Sequence, residues 1–100
     1  MPKEKLYTIK FKTSDTFILR SVGDENILIP IDNSKDFENA IITLNDTAAF
    51  LWKLFSNGIT IQEAIKKSLD EYESSIELIE FSIVQFVLEN TKYNLLREEN

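Results

Sequence analysis

Apolar and polar residues alternate over residues 6–12, LYTIKFK, with Tyr7, Ile9 and Phe11 on one side and Thr8, Lys10 and Lys12 on the other. A period of two is that of a half-buried strand, and Thr13-Ser14-Asp15 ends it. Residues 16–22 (TFILRSV) are rich in strand formers, Gly23-Asp24-Glu25-Asn26 supplies turn chemistry, and residues 27–31 (ILIPI) follow, so the pattern predicts a hairpin. Pro30 lacks a backbone donor and belongs at a strand end, a bulge or a position facing outward. After a polar loop over residues 32–36, residues 37–44 (FENAIITL) read as a third strand.

The period then changes. Asn45-Asp46-Thr47 offers acceptors for the free N–H groups of a helix start, and Ala48, Leu51, Trp52 and Phe55 follow at helical spacing until Asn57-Gly58 ends the run. Thr60 with Glu63 has the spacing of a capping box, opening a second helix with Ile61, Ala64, Ile65 and Leu69 as its buried stripe, which runs out near Tyr72. Ser74 with Glu77 repeats that spacing and opens a third helix to about Asn90. On it Ile76, Ile79, Ile83, Phe86 and Val87 form one apolar cluster and Phe81, Val84 and Leu88 a second. Leu95 and Leu96 return to the core. Three strands then three helices predict an α+β domain, a small three-stranded antiparallel sheet followed by a three-helix bundle, in a winged helix-turn-helix-like order.

Length and composition narrow what such a domain does. One hundred residues with 43% apolar content hold one hydrophobic core. With no histidine and no cysteine, imidazole bases, thiolate nucleophiles, disulfides and the usual zinc sets are excluded, and no glycine loop cradles a phosphate. An enzyme is therefore not expected, and no cofactor or metal is implied. The net charge of −6 disfavours nucleic acid and anionic membranes as partners. Residues 1–22 carry five basic and two acidic groups against that trend. No apolar run is long enough to span a bilayer and no export signal is recognisable, so a cytoplasmic location is expected.

Ile27-Leu28-Ile29-Pro30, then Phe37, then Ile42-Thr43-Leu44-Asn45-Asp46-Thr47-Ala48-Ala49-Phe50-Leu51-Trp52 resemble the signature of the PqqD-like family, the peptide chaperones related to pyrroloquinoline quinone biosynthesis protein D. The resemblance continues through Thr60, Glu63, Leu69, Tyr72, Ile83, Phe86, Val87 and Leu95-Leu96. It departs at Ser82, where many relatives carry Asp, at Asn90, where they are apolar, and at Glu38-Asn39. It divides the chain into an N-terminal segment 1–15 with a possible extra strand, a peptide-binding domain 16–96 and a tail 97–100. It implies a RiPP recognition element, a non-catalytic adaptor. Such a domain binds the leader of a ribosomally made precursor peptide and presents the core to a modifying enzyme, often a radical SAM enzyme, a cyclase or a protease.

Physical reasoning gives that implication a site. In a simple meander the third strand is an edge, whose unpaired N–H and C=O groups are a template for adding a peptide strand. The expected peptide contacts are Phe37, Asn39, Ile41, Ile42, Thr43 and Leu44 on that strand, with Leu78, Ile79, Ser82, Ile83 and Phe86 of the third helix as the facing wall. Ordinary core packing is the competing reading for Ile83 and Phe86, and Trp52 reads as a core anchor. The alternatives are a winged-helix DNA binder or a general protein-interaction domain. Residues 74–91 carry Glu77, Glu80 and Glu89 and no Lys or Arg, which sets the third helix against phosphate. An unpaired edge also permits a strand-swapped dimer as well as a monomer.

Overall fold

Gly23 takes φ +62°, which glycine adopts without steric cost, and this lets β2 (Phe17–Val22) turn through two residues into β3 (Glu25–Pro30). Phe17 pairs with Pro30, putting the proline at the end of its strand. The computed structural model describes residues 3–31 and 41–99. Within them β4 (Ile42–Leu44) pairs antiparallel with β3, so the sheet order is β2-β3-β4 and β4 is an edge. Phe17, Leu19, Leu28, Ile42 and Leu44 share its inward face and pack against the core. The first half of the expected third strand, with Phe37 and Asn39, lies outside the described residues.

The N-terminal alternation is not a seven-residue strand. Lys3–Thr8 is a helix, α1, and only Lys10–Thr13 forms a strand, β1. The physical reason is the length of the available partners: β5 (Ile59–Thr60) and β6 (Leu96–Glu98) flank β1 and reach back only to Lys10. Among the described residues no strand pairs with those before Lys10, and a helical turn puts both Leu6 and Tyr7 against the core instead. β5-β1-β6 is thus a second antiparallel sheet that the chain order did not predict. Between the sheets the Thr16 N–H donates to Ser14 Oγ (3.2 Å), a side-chain turn that holds the corner.

The helices start where short polar residues allow. Asn45 Oδ1 accepts from Ala48 N–H (2.7 Å) to open α2 (Asp46–Phe55). Thr60 and Glu63 form the expected reciprocal box at α3 (Ile61–Glu71), with both backbone-to-side-chain distances 3.0 Å. These bonds hold the Glu63 carboxyl below its usual range. The third helix of the bundle, α4 (Ile76–Lys92), begins one residue later than expected: Ser75, not Ser74, is its cap, accepting from Leu78 N–H (3.2 Å). It also ends later. Leu95 N–H donates to Asn90 O (2.9 Å) and Asn94 N–H to Thr91 O (3.2 Å), with Asn94 at φ 61°. This Schellman-type stop turns the chain so that β6 returns along β1.

Trp52, Phe55, Ile61, Ile83, Val87, Leu95 and Leu96 are buried in one cluster with Phe11, Phe17 and Leu28. Phe55 and Phe86 rings pack 5.7 Å apart. Two expected core positions turn outward: Leu69 and Ile76 are exposed. Ser68 takes the buried place on α3 that Leu69 was expected to hold. The result is the α+β fold expected from the element order, an antiparallel three-stranded sheet with helices packed on its inner face.

Candidate functional site

The register of the sheet decides which main-chain groups of β4 are available. Ile31 N–H donates to Thr16 O (2.8 Å), so Thr16 and Ile31 are a hydrogen-bonded pair. Bonded pairs alternate with non-bonded ones along an antiparallel ladder. By that parity Ile27 and Ile29 spend their backbone groups on β2, and Asn26 and Leu28 turn theirs to β4. Asn26 pairs with Leu44 and Leu28 with Ile42, so Ile42 and Leu44 are spent on the sheet. Thr43, and Ile41 just before the strand, aim N–H and C=O away from it, and among the described residues no strand takes them. The side chains alternate in the opposite sense: Ile42 and Leu44 point to the core, while Thr43 is exposed and Ile41 is 65% exposed.

Beside the end of β4 two cavities form a trench along α4. One, of about 300 Å³, is lined by Asn45, Thr47, Ala48, Leu51, Phe81, Ser82, Gln85 and Phe86. The other, of about 160 Å³, lies between α2, α3 and α4 and takes Thr47, Phe50, Leu51, Ser68, Tyr72, Ser74, Leu78, Ile79, Ser82 and Ile83. Thr47, Leu51 and Ser82 belong to both, so the two cavities adjoin along these residues.

The five expected wall residues of α4 are therefore brought together in this trench. Their partners differ from the expectation, because α2 and α3 face them rather than the strand, and Asn45 is the lining residue nearest β4. Ile79, Ile83 and Phe86 are buried and double as core, whereas Leu78 (64% exposed) and Ser82 form the open rim. Sequence reasoning missed Phe50, Ser68, Tyr72 and Ser74. Ser68 carried a readable signal: it lies four residues after Ala64 and seven after Ile61, inside the apolar stripe of α3. Tyr72 and Phe50 meet edge to face with centroids 5.1 Å apart. That contact joins the end of α3 to α2 and has no local sequence signal.

The back of α4 is tied to α1, since Tyr7 donates its hydroxyl to Glu80. Burial, reinforced by the Glu80 carboxylate, pushes the Tyr7 phenol up to about 12. A folded pKa above the unfolded value of about 10 means that this contact contributes fully below pH 10 and is lost as pH rises towards 12. In an absorbance titration of the three tyrosines, one phenolate is expected to form late, and Tyr7→Phe to delete that phase. A curve unchanged by Y7F overturns the assignment.

No lining residue of either cavity is charged, and among the described residues no group of carboxylates is disposed to hold a metal. No helix of the described residues is long and apolar enough to cross a membrane. The arrangement suits an uncharged, extended partner laid along a strand edge and an apolar trench.

Comparison with known proteins bears on the fold and the family. No curated protein sequence matches the chain. A solved structure described as TbiB1 in complex with the TbiA(beta) leader peptide is similar, with a TM-score of 0.67 at 20% identity, covering 85% of this chain and 93% of that one. That likeness is one of fold. The sequence model of the family described as coenzyme PQQ synthesis protein D matches residues 25–96, from the start of β3 to the start of β6. A match over that much of the sequence, on the fold just described, means that the chain belongs to the PqqD family.

Proposed function

We propose that this protein is a non-catalytic adaptor that binds the leader segment of a ribosomally synthesised precursor peptide and delivers it to a modifying enzyme. The observation that carries the reading is the row of unspent main-chain groups at Ile41 and Thr43, next to the apolar trench of α4. A leader added as a strand beside β4 takes its affinity from those groups and its selectivity from side chains seated in the trench. Ile41, Thr43, Leu78, Ser82 and Phe86 are the proposed contacts. Family membership and the fold shared with a leader-bound protein support the choice of a leader over other peptides. In this reading the chain works in the cytoplasm beside a radical SAM enzyme, a cyclase or a protease, and brings no cofactor of its own.

Titration with the leader encoded beside the gene tests the proposal. Amide shifts are expected at residues 41–44 and 76–90. No shifts, or shifts confined to β1 and β6, overturn it. Duplex DNA at low salt is expected to produce none, because exposed Glu77 and Glu89 line the helix that would have to approach phosphate.

A further inference from the structure

The sheet β2-β3-β4 packs on the core through Leu19, Leu28 and Ile42, so by alternation Ile18, Val22, Ile27, Ile29, Ile31 and Ile41 point outward. All of these but Ile27 are exposed, and none of the six packs against the buried cluster. Register joins them into one patch: Ile18 stands opposite Ile29, and Ile29 opposite Ile41 by continuation of the Leu28–Ile42 pair. A sheet with one face in water alternates apolar with polar residues, whereas a sheet covered on both faces is apolar throughout. The run from Ile27 to Ile31 is of the second kind, and a contiguous exposed aliphatic patch marks a contact surface.

Arg20 tells what chemistry the occupant brings. It stands opposite Ile27 on this same face, exposed, with no ion-pair partner among the described residues. A guanidinium is weakly hydrated and grips a carboxylate with two parallel bonds, which makes arginine an anchor at the centre of interfaces. The fitting partner therefore presents aliphatic side chains and a carboxylate. A second copy of this chain brings another Arg20 and a further net charge of −6, and its Glu25 lies at the turn end, opposite Val22, outside the isoleucine rows. The chemistry favours a different protein. Position says which one. The patch ends at Ile41 and Thr43, the open edge, and a strand added there sets every second side chain on this same outer face. A protein covering the face then touches the leader too, as the enzyme that receives the leader must.

We propose that the outer face of β2-β3-β4 docks the modifying enzyme, through an aliphatic patch whose carboxylate pairs with Arg20, and that a leader strand beside β4 completes the docking surface. That the occupant is the enzyme rests on the leader-binding reading. That the face takes a protein partner does not.

The probe is the purified modifying enzyme encoded beside the gene, titrated by calorimetry into the wild type, Ile18→Lys and Arg20→Glu, with and without saturating leader. Both variants alter exposed side chains on β2, two strands from the open edge, so melts and leader shifts at residues 41–44 are expected to match the wild type. Enzyme affinity is expected to fall about tenfold or more in each, and either variant alone carries the test. Arg97→Glu, the same charge change on the exposed side of β6, is expected to leave it unaltered. Leader is expected to raise enzyme affinity, and enzyme to raise leader affinity by the same factor; equal affinities with and without leader overturn the shared surface. Wild-type affinity in I18K and R20E, an equal loss in R97E, or no binding of the wild type overturns the docking face, and leader shifts on β4 beside any of these results leave leader binding standing. Loss of the enzyme in I18K and R20E with no leader shift on β4 supports the docking face and overturns the leader reading. Wild-type dimers in sedimentation that I18K disperses assign the face to a second copy and overturn the choice of partner.

Discussion

Replacing Trp52 with alanine is expected to lower the unfolding free energy by about 3–5 kcal/mol, the usual loss for truncating a large buried aromatic. Trp52 is 4% exposed and stands on α2 among Leu51, Phe55 and the strand residues that close the core. Around it the buried cluster draws on both sheets and on three helices, so no single element can move in to fill the space. Against a total of about 5–15 kcal/mol for a domain of this kind, the loss removes a large share of stability. Urea unfolding followed by circular dichroism measures it, because the variant lacks the only tryptophan. Phe86→Ala is expected to fall in the same range, since its ring packs on Phe55, and to reduce leader affinity as well because Phe86 also lines the trench. Stability retained in either variant means that the residue belongs to the groove and not to the core.

Proline substitutions on β4 are expected to separate folding from binding. Ile42 spends its N–H on Leu28 in the register observed, so Ile42→Pro leaves a buried acceptor unpaired at a cost of about 1–3 kcal/mol and also disturbs a side chain packed on the core. Thr43 aims its N–H away from the sheet, where proline is tolerated on an edge. Thr43→Pro is therefore expected to keep the wild-type melt within about 1 kcal/mol and to weaken the leader about five- to tenfold, the equivalent of one lost main-chain bond. Ile41→Pro follows Thr43→Pro. The reverse order, with T43P unfolding and I42P binding normally, would sink the strand-addition reading. Calorimetry on both variants, paired with thermal melts, reads the two effects separately.

What could be read in advance was what neighbouring residues decide among themselves. The Gly23 turn, the Asn45 cap, the Thr60–Glu63 box and the stop at Gly58 each depend on a few adjacent residues, and each is found where the pattern put it. The larger failure depended on a distant partner. Tyr7, Ile9 and Phe11 alternate like a strand, yet the ladder beside them ends at Lys10, and Tyr7 bonds instead to Glu80 of α4, 73 positions away. Ser74 and Ser75 are equivalent as letters. One became a cap and the other a cavity wall.

The candidate site divides along the same line. Its α4 residues were legible from helical spacing, and its strand from the run that ends at Leu44. Which face of that strand is free was not, because shifting register by one residue exchanges every group between sheet and solvent, and the bond from Ile31 to Thr16 fixes it.

By itself, then, the sequence determined an acidic α+β domain with no imidazole or thiol chemistry, a hairpin and three capped helices, because composition and local hydrogen bonding are properties of neighbours. Only the tertiary structure decided that β1 joins β5 and β6, that Ile41 and Thr43 present the open edge, and that Phe50 of α2 meets Tyr72 beside a cavity. Those are contacts between residues far apart in the chain, and they exist only once burial of the shared core has fixed how the elements sit together.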